Sequence, residues 1–405
     1  MKVLEINVVC GIRSTGRICT DLADILHKEG HQCMIAYGRE EVPEKYQKYA
    51  IRIGNDRETA YHFLMSRLFD RCGFESKNAT KELIRKIKDY NPDIIHLHNL
   101  HGYYINIEIL FEYLKTSGKK IIWTLHDCWP YTGHCSYYSA VNCEQWKKQC
   151  LTCPQTKEYP ACILRGNVKS NFVRKKNIFT GVPNMTLVTP SKWLAGQVRS
   201  SFLSEYPVAV IPNGIDLEQF RPIESDFRKQ YHLEDKIIVL GVATAWGERK
   251  GYREFCRLAE NLPNEYQIVL VGLTKKQLKT VPPNILGIER TNSVPELAGI
   301  YSAANIFANL GREETMGLTT VEAMACGTPV VVSNMSAIPE VVGKDSGIVL
   351  NSLAENEIIC AIKTAAKGEY SGMLQNASKY EKEKQYQKYI ELYESKKIFA
   401  ENLFN

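Results

Sequence analysis

Residues 306–332 read IFANLGREETMGLTTVEAMACGTPVVV. Ile306 to Leu310 is a short apolar run ending at Gly311, as a buried strand entering a turn does. Polar and acidic residues follow as far as Gly317. Thr319 to Ala325 has the apolar spacing of a helix, Gly327 ends it, and Pro329 to Val332 is a second buried strand. Strand, loop, helix and strand in succession make one unit of a parallel α/β sheet.

The same unit recurs outward in both directions. Downstream of the chain centre, Ile237–Val242 reads as a strand, Tyr252–Asn261 as a helix, Gln267–Val271 as a strand and Pro295–Ala303 as a helix. In the first half, Val3–Val9 is a strand, and Cys10–Arg17 is a loop carrying Gly11 and Gly16. A helix with Leu22, Ile25 and Leu26 on one face follows, then the strand Gln32–Tyr37. Lys81–Tyr90 is a helix that Asn91-Pro92-Asp93 stops, because proline cannot continue it. Ile94–His98, Lys120–Leu125 and Met185–Thr189 complete the first set of strands. The predicted fold is therefore α/β, with two doubly wound Rossmann-like domains facing across a deep cleft and ligands at the carboxyl ends of the strands.

A chain of 405 residues is long enough for two cores. The stretch 212–236 is loop-rich and polar, and marks the junction. The expected division is 1–206 for the first domain and 207–376 for the second. Residues 377–405 are expected to form a charged helix that packs back on the first domain. Within the first domain, 128–162 breaks the strand–helix rhythm with cysteines, tyrosines and prolines.

Composition limits the functional classes. Hydrophobic residues make up 44% and charged residues 24%, as in a globular protein. A net charge of +6 is too small an excess to indicate nucleic acid. No apolar stretch approaches the ~18 residues that span a bilayer, and the amino terminus lacks a signal-peptide core, so a cytoplasmic protein is expected. Lys169, Arg174, Lys175 and Lys176 form a basic cluster, either a solvated helix face or a peripheral contact with anionic lipid at the inner membrane face.

Thirteen cysteines in such a chain are expected as thiols or metal ligands. Cys150-Leu-Thr-Cys153 has the spacing of a metal knuckle. With Cys135 and Cys143 it makes a candidate structural zinc site, against the plainer reading of reduced cysteines in an aromatic loop.

Chemistry concentrates around Glu314 and Glu322. Between them a glycine turn feeds a helix start, and the amides of Leu318, Thr319 and Thr320 are first-turn donors suited to a phosphate. Glu322, near the first turn, has a carboxylate able to accept from both hydroxyls of a ribose. Glu314, before the turn, reaches the other end of the same ligand. Taken alone, the spacing of two glutamates is weak evidence, since capping acids and surface charges are commoner. Arg249-Lys250-Gly251, after the Ile237–Val242 strand, adds fixed cations able to stabilise a departing diphosphate.

The segment Glu313–Val332 resembles the paired-glutamate donor motif of the family 4 retaining glycosyltransferases, which have the GT-B fold. Val188-Thr-Pro-Ser-Lys-Trp, Ile211-Pro-Asn-Gly-Ile-Asp, Arg249-Lys-Gly and Tyr301-Ser-Ala-Ala-Asn extend the resemblance over nearly the whole chain. Trp123-Thr-Leu-His-Asp-Cys-Trp-Pro-Tyr-Thr-Gly is most similar to enzymes of colanic acid and related exopolysaccharide synthesis. The resemblance implies catalytic roles for His126, Glu314, Arg249 and Lys250. Glu314 contacts hydroxyls of the donor sugar, Lys250 and Arg249 the diphosphate, and His126 the sugar near its anomeric centre. It also implies donor binding by Glu322 at the ribose, by the backbone of Met316, Gly317, Leu318 and Thr319, and by Gly16 in the first glycine loop. Thr244 stands where many members have an arginine, and Arg249 takes over that task.

The implied activity is transfer of a hexose, with retention, from a UDP- or GDP-sugar to a glycan or polyprenyl-diphosphate-linked acceptor in cell-surface polysaccharide synthesis. No cofactor is required for catalysis if the two cations and the helix amides neutralise the diphosphate. The competing readings are a nucleotide-sugar epimerase of the same fold and a non-catalytic sugar-nucleotide-binding protein.

Overall fold

The structure, a computed structural model, describes residues 1–164 and 166–395. The chain forms two compact units. One comprises Met1–Pro212 together with the described residues from Tyr386 onward, the other Asn213–Gln385.

The first unit is built on seven strands. They are β1 (Lys2–Asn7), β2 (Gln32–Tyr37), β3 (Ala50–Arg52), β4 (Ile94–Leu97), β5 (Lys120–Thr124), β6 (Met185–Thr189) and β7 (Val208–Val210). The sheet order is β3-β2-β1-β4-β5-β6-β7, and every pairing is parallel. The second unit has β8 (Ile237–Val242), β9 (Tyr266–Val271), β10 (Ile285–Ile288), β11 (Ile306–Asn309), β12 (Val330–Val332) and β13 (Gly347–Val349). Their order is β10-β9-β8-β11-β12-β13, again parallel throughout. Both are Rossmann-like sheets. In each the strand order reverses beside the first strand, between β1 and β4 and between β8 and β11, which is where the loops after neighbouring strands diverge.

Both faces of each sheet are covered, so the strands read as near-continuous apolar runs. In β1, Leu4 and Ile6 enter one core with Leu83, Ile87 and Phe111, while Val3 enters the opposite core with Leu22 and Leu26. In β8, Ile238 and Leu240 face one core and Val239 the other. Burying one such side chain contributes ~1.5–3 kcal/mol. Helix starts follow local chemistry: the Ser191 and Ser293 hydroxyls accept from the amides of Leu194 and Glu296, at 3.1 and 3.2 Å.

Several expectations need correction. The division falls after Pro212 rather than after residue 206, because β7 adds to the first sheet. Residues 377–385 belong to the second unit. In the helix Lys382–Glu394 it is Tyr386, Tyr389, Ile390 and Tyr393 that enter the first unit's core. Residues 396–405 of the expected tail helix lie outside the described residues. Gly16 is not in a loop: the helix Arg13–Lys28 has already begun, and Gly16 packs against the backbone of Val9 and Gly11.

The basic cluster is also divided. Lys175 is buried, donating to the carbonyls of Trp129 at 2.8 Å and Thr132 at 3.2 Å, with its ammonium 3.5 Å from the Trp129 ring centroid. Arg174 pairs with Glu108 at 2.8 Å, which leaves Lys169 and Lys176 as the exposed members. Among the described residues no helix is long and apolar enough to cross a membrane.

Candidate functional site

The loops after β8 and β11 meet at the reversal of the second sheet. Gly251 makes that approach possible. Its φ is +77°, and a Cβ there would lie 2.4 Å from the Leu310 carbonyl oxygen. The Arg312 amide donates to the Arg249 carbonyl at 2.8 Å, and the Arg249 guanidinium donates to the Glu313 carbonyl at 2.8 Å. These two bonds clamp the loops together and set Lys250 beside Glu314, with Nζ 2.6 Å from Oε1.

Glu314 is almost fully buried and is held from several sides. Asn309 Nδ2 donates to Oε1 at 3.3 Å and also to Thr320 Oγ1 at 3.1 Å. The Glu314 amide donates to Ser336 Oγ at 2.9 Å. A carboxylate so placed is a fixed acceptor array, and Lys250 balances its charge.

The helix Leu318–Ala325 starts directly after this carboxylate. Gly317 makes the turn with φ +84°. The Thr320 amide, expected as an anion donor, is taken by the Gly317 carbonyl at 3.0 Å, so Leu318 and Thr319 are the candidate donors at this helix start. Met316 is buried, its sulfur accepting from the Asn213 amide at 3.2 Å. Glu322 lies on the same helix, partly exposed, with Oε2 receiving the Tyr301 hydroxyl at 2.9 Å. The second unit thus brings Arg249, Lys250, Glu314, Met316, Gly317, Leu318, Thr319 and Glu322 to one end of its sheet. Thr244, exposed, stands on the same loop nearer to β8.

His126 follows β5 in the first unit. Its Nε2 lies 3.1 Å from Nδ1 of His98, with the ring planes 12° apart. Withdrawal from solvent pulls its pKa down to about 4, so the ring is neutral at physiological pH. His98 Nε2 in turn faces Glu5 Oε2 at 3.3 Å. Burial pushes the Glu5 carboxyl up to about 8. Gly16 belongs to the helix after β1. It accepts from the Gly11 amide at 3.0 Å, and a Cβ there would meet Val9 at 3.0 Å.

The four candidate zinc ligands neighbour one another, Cys135 with Cys153 and Cys150, and Cys150 with Cys143, but no three of their sulfurs come within 4.8 Å of one another. Among the described residues the only group of three or more donor atoms within 4.8 Å of one another is Glu5, His96 and His98. Both His96 nitrogens are already committed, to the Tyr393 hydroxyl at 2.6 Å and to Thr124 Oγ1 at 2.8 Å. Of the four expected zinc ligands, all free thiols, Cys135 and Cys153 are hydrogen-bonded to each other, and Cys150 Sγ accepts from the Gly133 amide at 3.3 Å. The loop is ordered instead by packing of Tyr131, Tyr138 and Trp146 and by a buried His134–Asp70 pair at 2.6 Å.

Four contributors escaped the sequence reading. Asn309 and Ser336 hold Glu314, and neither carries a motif. Tyr301 stood in a quoted motif without a role. His98 entered only as the last residue of the strand Ile94–His98. A signal for it did exist: His96 and His98, like Thr124 and His126, are two apart and so share one face of a strand.

The comparisons agree with this architecture. The sequence matches the family of glycosyl transferases group 1 over residues 234–367 and that of Glycosyltransferase Family 4 over residues 15–152. A relative from Escherichia coli (strain K12), the putative colanic acid biosynthesis glycosyl transferase WcaC, is 23% identical, and the match covers 98% of this chain and 100% of that one. Among solved structures, sucrose-phosphate synthase from Thermosynechococcus elongatus superposes with a TM-score of 0.70 at 16% identity, covering 97% of this chain and 98% of that one. HepE of Anabaena, solved in complex with UDP, gives 0.66 at 13% identity, covering 97% and 99%. The chain is a glycosyltransferase that carries a Glycosyltransferase Family 4 domain and a glycosyl transferases group 1 domain in the GT-B fold.

Proposed function

We propose that this glycosyltransferase moves a hexose from a UDP- or GDP-sugar to a glycan or polyprenyl-diphosphate-linked acceptor, with retention, in cell-surface polysaccharide synthesis. The observation that carries the reading is the Lys250–Glu314 pair set against the Gly317 helix start at the strand-order reversal. An incoming diphosphate competes for Lys250 and frees Glu314 to accept from sugar hydroxyls. Leu318 and Thr319 offer amides to the phosphates, and Glu322, oriented by Tyr301, takes the ribose. HepE, solved with UDP, supports the ligand class, and WcaC, named as a putative colanic acid biosynthesis glycosyl transferase, supports the polysaccharide setting. Exposed Ile163, Leu164 and Val173, with Lys169 and Lys176, support a peripheral contact with an anionic membrane.

In the proposed mechanism the bond between the anomeric carbon and the phosphate oxygen breaks, and the acceptor oxygen bonds to that carbon on the same face. The leaving phosphate oxygen takes the acceptor proton. Lys250, Arg249 and the helix amides stabilise the charge that develops on the diphosphate, with no metal required. His126 contacts the sugar as a neutral ring. Mass spectrometry of products from a panel of UDP-, GDP- and dTDP-sugars tests the reading. A glycosylated acceptor from one donor class supports it. Donor isomerised without any acceptor identifies an epimerase instead.

A further inference from the structure

Strand residues alternate between the two faces of a sheet, so Glu5 on β1, His96 on β4 and Thr124 on β5 point to the same side. Glu5 and His96 are register partners. His98 and His126 continue that side, two residues beyond His96 and Thr124. The result is a polar line through a core that is otherwise apolar. Glu5, His96 and His98 are buried, and His126 is partly exposed at the end of the line.

Successive groups along the line lie close enough to exchange a proton, through one formed hydrogen bond and one close approach. Glu5 Oε2 lies 3.3 Å from His98 Nε2, and His98 Nδ1 lies 3.1 Å from His126 Nε2. Glu5 Oε2 and His98 Nε2 are both buried and neither makes a hydrogen bond in this geometry, so each has the other as its facing polar atom. Glu5 Oε1 accepts from the Cys33 thiol at 3.6 Å, and the Cys19 thiol also hydrogen-bonds the carboxyl. His96 packs on His98 at 4.0 Å between ring centroids and is itself pinned by Tyr393 and Thr124. His98 is thereby held edge-on between a carboxyl and an imidazole.

We propose that Glu5 and His98 are positioning residues that decide which ring nitrogen of His126 carries the proton. Two neutral-ring arrangements satisfy the line. With Glu5 protonated, its O–H donates to His98 Nε2, His98 Nδ1–H donates to His126 Nε2, and the His126 proton sits on Nδ1. With Glu5 ionised, His98 Nε2–H donates to the carboxylate, His126 Nε2–H donates to His98 Nδ1, and His126 Nδ1 becomes an acceptor. The two states differ by one proton, and it leaves the line at His126 Nδ1. Ionisation of a fully buried carboxyl is thus expressed at the partly exposed ring. Given the reading of His126 as a sugar contact, the line fixes whether that contact donates or accepts.

The groups facing the line do not oppose this. Around Glu5 these are Cys10 after β1, Cys19 on the helix Arg13–Lys28, Cys33 on β2, and Tyr389 and Tyr393 on the last helix. All are acids that burial keeps protonated near neutrality. Asp127 and His101 face His126 and pair with each other at 2.7 Å. Glu5, pushed up by burial, is protonated near pH 7 and ionises as the medium becomes alkaline.

The test is nitrogen-15 NMR of the full chain labelled at histidine, with the His126 signals identified by their loss in His126→Gln. The expected result in the unaltered protein is a proton on Nδ1 at about pH 6.5 and on Nε2 at about pH 9.5. In Glu5→Gln the thiols of Cys19 and Cys33 hold the amide oxygen, so the NH2 group faces His98 and the Nδ1 form persists at both pH values. The alkaline limb of the kcat profile disappears with it. The same tautomer at both pH values in the unaltered protein, or a switch that survives in Glu5→Gln, overturns the proposal. The titration of the unaltered protein decides the matter even if the variant does not fold. Unchanged kcat in His126→Gln would remove the sugar-contact reading, while the tautomer switch would still establish the line.

Discussion

Lys250 Nζ and Glu314 Oε1 lie 2.6 Å apart although 64 residues separate them in sequence. The pair is mostly shielded from water, with side-chain exposures of 18% and 9%. Each charge is balanced only while the other is present. Lys250→Ala leaves a nearly buried carboxylate uncompensated, and should cost ~2–3 kcal/mol of stability. Glu314→Gln keeps an acceptor for Asn309 and should cost less. Thermal denaturation of the two variants checks the order. If Lys250→Ala loses a diphosphate contact as well, kcat falls by ~100–1,000-fold.

Tyr301 orients Glu322 through one hydrogen bond. Tyr301→Phe removes the hydroxyl and keeps the packing against Phe220 and Phe307. Donor affinity should fall by ~3–10-fold, about 0.7–1.4 kcal/mol, with little change in melting temperature. Calorimetric titration with the donor measures it. An unchanged Kd would mean that Glu322 is not acting through this contact.

Gly251 and Gly317 test the backbone of the site. A Cβ at Gly251 collides with the Leu310 carbonyl, whereas one at Gly317 meets nothing closer than 3.6 Å. Gly251→Ala should therefore destabilise the second unit and abolish activity by parting the two loops. Gly317→Ala should cost only the ~1 kcal/mol of an unfavourable φ. Equal melting temperatures for the two variants would contradict this.

Acid should unfold the first unit through its histidines. Burial lowers the pKa of His62 to about 3 and of His126 to about 4, and holds His96 and His98 well below the ordinary value. The unfolded chain binds these protons near pH 6.5, and the folded chain does not. Stability is therefore present above that pH and falls as pH drops toward the folded pKa values, by ~1.4 kcal/mol per pH unit for each histidine. Urea denaturation from about pH 7 to pH 5 reads the slope, and His62→Gln should reduce it by the share of one proton.

Much of the architecture was legible locally. Ile237–Val242 and Tyr252–Asn261 are bounded in the structure where the apolar pattern and Gly251 bound them in sequence. The edge strands β3, β10 and β13 are three or four residues long, too short for a period to show. The site was legible only as residue types. That Lys250 reaches Glu314, that Asn309 braces it, and that Tyr301 meets Glu322 are tertiary facts with no periodic trace. Cysteine spacing is ambiguous in the same way: Cys150 and Cys153 have the separation of a knuckle, while the contacts seen in that loop are a thiol hydrogen bond from Cys153 to Cys135 and aromatic packing.

The central claim is that Glu322, Glu314 and Lys250 bind one nucleotide sugar at the Gly317 helix start. Calorimetric titration of UDP and GDP into the unaltered protein and into Glu322→Ala tests it most directly. The account predicts one bound nucleotide per chain and a loss of at least ~10-fold in affinity in the folded variant, the share of the ribose contact. Undiminished affinity in Glu322→Ala, or no binding of either nucleotide to the unaltered protein, would contradict it.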